Sequence, residues 1–437
     1  MYLIAIIIAI VAVLTTAPAD LAAAPAAPID SLAREYVRLA LRVGQYVPNY
    51  IDAYFGPDEL KPEVVKDEAG KGFPYQEFCQ GVDRLLAWDE EIGKQASAES
   101  GKRRAAFLHG QLSSMRAVLD RRDGKKLTFD DEAAAIFEVK APHHDSAYFE
   151  TLLFRLDSLL PGKGDISERF MKFQDSFVVP REKIDTLVRL CLAECRRRTA
   201  EHLALPDGEK CQVELVGGQS WGGYNWYLGG LQSLIQIDTT ANMYIGSFIG
   251  LAAHEGYPGH HYSNIVNDKR LVQDSGWIEY SVYPMYSPTS VIGEGMANFG
   301  VDLVFPPKDR EEYYKKTLFP IAGLDTSGIE TYCRALEVKK ELDDASVDAA
   351  RMYLDGTLDS NQTIAWLQRY ALETHEQAVK SLAFSLDYRS YRVTYTVGEK
   401  LVSDFVSRNG GTPDNPARRW HLYDSLLTIP CLPIDLE

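Results

Sequence analysis

The chain has 437 residues, with 62 acidic against 46 basic side chains and a formal net charge of −16. Its 46% hydrophobic and 25% charged content is that of a soluble globular protein long enough for a large core. The acidic balance and the lack of a basic stripe argue against nucleic acid or an anionic membrane as partner. Six cysteines (Cys79, Cys191, Cys195, Cys211, Cys333 and Cys431) are too sparse for a disulfide scaffold.

Leu3 to Leu14 (LIAIIIAIVAVL) is an uncharged apolar run, shorter than the roughly 18 residues that a membrane-spanning helix needs. Small residues follow it, with Ala17-x-Ala19 or Ala24-x-Ala26 as cleavage sites, so residues 1–26 read as a secretory leader. The mature protein is then expected to be secreted or periplasmic, with no stable membrane insertion. No Lys or Arg precedes Arg34, which keeps an uncleaved anchor as the alternative.

Residues 27–205 read as a helical subregion. Leu32, Tyr36, Leu39 and Val43 recur at helical steps, and Gly56-Pro57 interrupts the pattern. A second helical block runs from about Phe78 to Asp120, broken near Ser97 to Gly101. Loops are expected at Ala141-Pro142 and Pro161-Gly162, then a long helix over Arg181 to Leu203. Cys191 and Cys195, four apart on that helix, read as buried small hydrophobes.

The pattern changes after Pro206, and residues 206–437 are expected to form the catalytic region. Cys211 to Val216 and Leu231 to Ile237 look like strands. The Gly- and aromatic-rich GGQSWGGYNWYLGG between them reads as a loop close to a ligand. A helix starting near Thr239 to Asn242 runs into His254. The fold class expected is mainly α (α+β), helical with a small antiparallel sheet next to a metal-binding helix.

That helix carries HEGYPGHH, His254 to His261, three of the nine histidines in eight residues. Zinc hydrolases use neutral imidazoles as ligands and a nearby carboxylate as proton acceptor. The common HExxH spacing places two His at i and i+4, on one face of a helix. Here His260 is at i+6, about 240° around a regular helix, and His261 at i+7 lies about 10 Å along the axis. Pro258 cannot donate to the His254 carbonyl, and Gly259 tolerates distortion, so two residues can bulge out and bring His260 to the ligand position. Gly246, Ser247, Gly250 and Ala253 leave room beside His254. For a third ligand the choice is Glu294 in IGEGMANFG, with Asn298 and Asp302 following at four-residue steps.

HEGYPGHH followed by EGMANFG resembles the signature of a widespread bacterial family of uncharacterised function, assigned by its HExxPGHH and EGxA motifs to the zincin-like metallopeptidases. YIDAYFGP, EVKAPHHDSAYFE, ECRRRT, GGYNWYLGG and SYRVTYTVGEKLV extend the resemblance over nearly the whole mature chain. Met296 stands where the family often has Trp. In related peptidases with HExGH, glycine directly precedes the second histidine, which favours His260 over His261. The resemblance implies a zincin-like fold, Zn²⁺ held by His254, His260 and Glu294, and Glu255 as general base. His261 would support the ligands from behind or contact substrate, with a ligand role as its alternative. Tyr395 is the candidate donor to a developing oxyanion and Arg392 the candidate clamp for a substrate carboxylate. The reaction implied is peptide-bond hydrolysis. The alternatives are a metal-dependent hydrolase of esters or non-peptide amides, and a non-catalytic zinc protein. Structural zinc sites usually close with four ligands, often Cys, and no cysteine lies near this cluster.

Overall fold

The computed structural model describes residues 27–63, 72–219 and 221–437, so the leader expected over residues 1–26 lies outside the described residues. The fold is mostly helical with two small sheets. The periodic segments form helices where expected: Pro28–Gly44, Tyr75–Gln95, Glu99–Arg122 and Ile184–Ala200. In the first of these, Leu32, Tyr36, Leu39 and Val43 are all buried, which is what selects the helix. No helix among the described residues is long and apolar enough to cross a membrane.

Among the described residues three buried clusters hold the chain together, and each draws on residues from both sides of residue 205. One packs Leu32, Leu108 and Ile136 against Val291, Val347, Val393 and Leu432. Another joins Phe149, Leu156 and Phe170 to Ala345, Leu367 and Leu372. The third combines the Ile184–Ala200 helix, including Cys191 and Cys195, with residues around the histidine cluster. The N-terminal helices are therefore a wall of the same body that carries the histidines.

The strands are β1 (Ile51–Tyr54), β2 (Lys210–Val216), β3 (Gly223–Gly229), β4 (Gln232–Asp238) and β5 (Val282–Pro284). β1 and β5 form an antiparallel ribbon. The other sheet has the order β2-β4-β3, with β2 parallel to β4 and β3 antiparallel to it. It is thus mixed, where an antiparallel sheet was expected. The difference comes from GGQSWGGYNWYLGG, expected as a loop, whose second half is the edge strand β3. Its alternation is real: Asn225 and Tyr227 are buried while Trp226 and Leu228 are exposed. Gly229 and Gly230, both with positive φ, make the turn into β4.

One helix crossing sets the geometry of the site. Helices Pro288–Val304 and Val393–Arg408 touch backbone to backbone at Gly295 and Gly398. A Cβ on Gly295 would lie 2.3 Å from the Gly398 carbonyl oxygen, and one on Gly398 would lie 2.3 Å from that of Val291. Only glycine allows this approach.

Candidate metal centre

The helix Ser247–Leu251 widens into a π-helical turn over Ala252–Gly256, breaks at Tyr257 to Gly259, and restarts at His260. The Gly259 N–H donates to the carbonyl of Ala253 at 2.9 Å, a step of six residues. That offset is the one from His254 to His260, so the extra residues expected at Pro258-Gly259 are accommodated as an enlarged turn. A Cβ on Gly259 would lie 1.9 Å from the His254 oxygen and 2.4 Å from that of Ala253. The turn closes only because residue 259 has no side chain.

The two imidazoles meet edge to edge, His254 Nε2 to His260 Nε2 being 3.1 Å. Glu294 Oε2 lies 3.3 Å from the first and 3.6 Å from the second. Among the described residues these three are the group whose donor atoms converge closely enough to hold a metal ion. Ligands at the ~2.0–2.1 Å zinc distance in a tetrahedral shell are about 3.3 Å apart, so the spacing fits zinc. Glu294 Oε2 is buried without a hydrogen bond, which leaves it free for an ion. Burial acts to lower the His260 pKa, but the carboxylates of Glu294, Glu255 and Asp52 together outweigh it and lift it to about 9. Burial acts to raise Glu294, yet His260 and His254 hold it well below the usual carboxylate range. An environment that favours a positive charge on His260 also favours a dication.

Partners behind the ligands fix their orientation. Asn298 Oδ1 accepts from His254 Nδ1 at 2.9 Å, while its Nδ2 donates to the Tyr395 carbonyl at 3.1 Å. This arrangement leaves the His254 Nε2 lone pair free for a metal. The Tyr391 hydroxyl donates to Glu294 Oε1 at 2.8 Å, so Oε2 is the oxygen turned to the imidazoles. Tyr391 was not among the expected site residues, although it lies one helical turn before Tyr395. Asp302, expected beside Asn298 on the ligand face, instead bonds Arg310 and Lys340.

Glu255 lines the same cleft, against β3: a Cβ on Gly223 would be 3.2 Å from its Oε1. Asn225 of β3 donates from Nδ2 to the Glu255 carbonyl at 2.6 Å, stapling the edge strand to the histidine turn. Tyr395 also lines the cleft, and its hydroxyl makes no hydrogen bond to a described residue. The cleft measures about 170 Å³, and its walls include the aromatic rings of Trp221, Tyr224, Tyr283 and Tyr388. Asp52 of β1, within the YIDAYFGP stretch, also reaches it and accepts a hydrogen bond from the Tyr224 hydroxyl. Burial raises the Asp52 pKa. No local motif marks Asp52 or Tyr391, because each acts through partners far away in sequence.

Two expectations need correction. His261 does not face the cleft as a substrate contact or ligand. It is fully buried, with Nδ1 2.8 Å from Ser233 Oγ and Nε2 3.0 Å from Glu209 Oε2, because the restarted helix points consecutive side chains about 100° apart. Arg392 does not clamp a carboxylate in the cleft either. Its guanidinium is turned away onto the Ser381 carbonyl at 3.1 Å and over the Phe384 ring. His143 and His144 also stay out of the cleft, tethered to Asp348. Gly218 to Gly222 spells G-x-S-x-G, but it joins strand to strand, not the strand to helix of a nucleophile elbow. Its Ser220 lies outside the described residues.

No protein-family model matches the chain, and no curated protein sequence does. Solved structures do. The fold is similar to that of a candidate lipoprotein from Colwellia psychrerythraea, at 12% identity and a TM-score of 0.52, over 83% of this chain and 68% of that one. A candidate lipoprotein of unknown function from Shewanella oneidensis matches at 14% identity and a TM-score of 0.47, over 92% of this chain and 72% of that one. Metallocarboxypeptidase 1 of Trypanosoma cruzi matches at 13% identity and a TM-score of 0.44, over 91% and 90%. At these identities the Colwellia match establishes a shared fold: a mostly helical body with small sheets.

Proposed function

We propose that the protein is an exported zinc-dependent peptidase, a member of the zincin-like family whose HExxPGHH and EGxA motifs it resembles. The observation that carries this reading is the convergence of His254, His260 and Glu294 in a cleft that also holds Glu255 and the edge strand β3. When bound, zinc supplies Lewis acidity that makes water a competent nucleophile near neutral pH. Glu255 accepts the proton of the attacking water and passes it to the leaving amine. Tyr395, with its hydroxyl unengaged, donates to the carbonyl oxygen as charge develops there. Among the described residues β3 pairs with β4 alone in its sheet, and its other edge is the one an extended substrate peptide would pair with. Export is proposed on the apolar leader pattern of residues 3–14.

The test is chelation and reconstitution against an unbiased peptide library read by mass spectrometry. Activity is expected to disappear with the metal and return with about one equivalent of Zn²⁺, without unfolding in between. Failure of the zinc-loaded protein to cleave any peptide would reject the peptidase assignment.

A further inference from the structure

Three carboxylates line the cleft: Asp52, Glu255 and Glu294. The proposed function uses Glu294 as a ligand and Glu255 in proton transfer, and leaves Asp52 without a role. Among the described residues lining the cleft there is no lysine or arginine. A dication offsets two of the three carboxylates, and one negative charge remains. The arginines next to the site tyrosines in the sequence are engaged elsewhere, Arg389 on Glu132 and Arg392 on Ser381.

The surroundings of Asp52 narrow what would offset that charge. Among the described residues its one hydrogen-bond partner is the Tyr224 hydroxyl, a neutral donor. Trp221 packs on Tyr224 with ring centroids 5.6 Å apart, and Phe384 on Tyr388 at 4.6 Å, all four lining the cleft. A carboxylate withdrawn from water without a cation is costly, and aromatic faces attract cations. The same wall offers a free carboxylate no lysine or arginine among the described residues, and leaves it facing the one carboxylate that a bound dication does not offset.

Building on the peptidase reading, we infer that Asp52, with the rings of Trp221, Tyr224 and Tyr388, selects substrates carrying an ammonium or guanidinium group near the bond to be cut. A free C-terminal carboxylate is not the handle this cleft recognises. The cation comes from a free α-amine or from a Lys or Arg side chain.

The test uses peptides of one core sequence, varied one group at a time: N-terminus free or acetylated, Lys or norleucine beside the scissile bond, C-terminus free or amidated. Equilibrium binding to the zinc-loaded Glu255→Gln protein is measured alongside kcat/KM of the wild type. Removing the cation is expected to weaken both by about tenfold or more, the scale of a lost desolvated ion pair, and amidation to leave both unchanged. Sensitivity to acetylation identifies the α-amine as the source; sensitivity to norleucine identifies the side chain. Asp52→Asn in the binding protein should shrink the charged-to-neutral difference to within about twofold, with zinc content unchanged. Equal binding of charged and neutral peptides by the parent would overturn the inference, as would a preference that survives Asp52→Asn. So would a variant that weakens all peptides alike, which would make Asp52 a support for Tyr224. Should Asp52→Asn not fold, the peptide series on the parent protein decides alone. Binding without turnover in the wild type would instead reject the peptidase reading and leave the charge preference standing.

Discussion

Gly259→Ala probes the structural premise of the metal site. The added Cβ would sit 1.9 Å from the His254 oxygen and 2.4 Å from the Ala253 oxygen, where non-bonded atoms need about 3.5 Å. Both obstacles are backbone, in the turn that carries His254, so no side-chain rotation relieves them. Overpacking commonly costs about 1–3 kcal/mol, and a clash with two backbone carbonyls belongs at or above the top of that range. Relief requires the turn to open, which moves His260 away from His254. Urea unfolding of the metal-free protein is expected to show a loss of about 3 kcal/mol or more, and competition titration a fall in zinc affinity of at least about 100-fold. Gly250→Ala is the matched control, because a Cβ there meets nothing within 4 Å. It should bind zinc normally and be as stable or up to about 1 kcal/mol more stable. Wild-type stability and zinc affinity in Gly259→Ala would refute the enlarged-turn explanation of the HExxxxHH spacing.

Further substitutions separate the roles of neighbouring residues. His260→Ala should abolish zinc binding, whereas His261→Ala should keep the zinc and cost about 1–3 kcal/mol of stability by leaving the Ser233 hydroxyl without its partner and Glu209 one bond short; equal zinc loss in both would reject this division. Asn298→Ala and Tyr391→Phe should each lower zinc affinity about 10- to 100-fold with the three ligands intact, as measured by chelator competition. Burial tends to raise the Glu209 pKa, but bonds from His261, Tyr257 and Arg196 outweigh it and hold it at about 2. A depressed folded-state pKa means stability that is complete above the ordinary carboxylate range and lost as pH falls towards about 2. Glu209→Gln should therefore flatten the pH dependence of unfolding between about pH 5 and 2, and an unchanged acid profile would contradict this.

Much of the architecture was legible because periodicity reports burial directly. The Pro28–Gly44 and Ile184–Ala200 helices show their apolar faces in the order of residues, and β2 and β4 show theirs. β3 was not legible, because six glycines in GGQSWGGYNWYLGG signal a loop while the alternation of Asn225, Trp226, Tyr227 and Leu228 occupies only four positions. The mixed order β2-β4-β3 was hidden for a different reason: strand order depends on long-range pairing, which no local pattern records. In the site, the Pro258-Gly259 irregularity gave away the enlarged turn, since both residues act on backbone within a few positions. The orientation of Arg392 and the arrival of Asp52 and Tyr391 depend on the Gly295–Gly398 crossing and on the β1–β5 ribbon. His261 was ambiguous in the sequence and became explicable only when Ser233 and Glu209 were placed around it.

The most direct measurement is anomalous diffraction at the zinc absorption edge from crystals of the zinc-loaded protein. One strong peak is expected, about 2.0–2.2 Å from His254 Nε2, His260 Nε2 and a Glu294 carboxylate oxygen. A peak on His261, a site closed by a fourth protein side chain, or no peak at these residues would contradict a catalytic metal centre built from His254, His260 and Glu294.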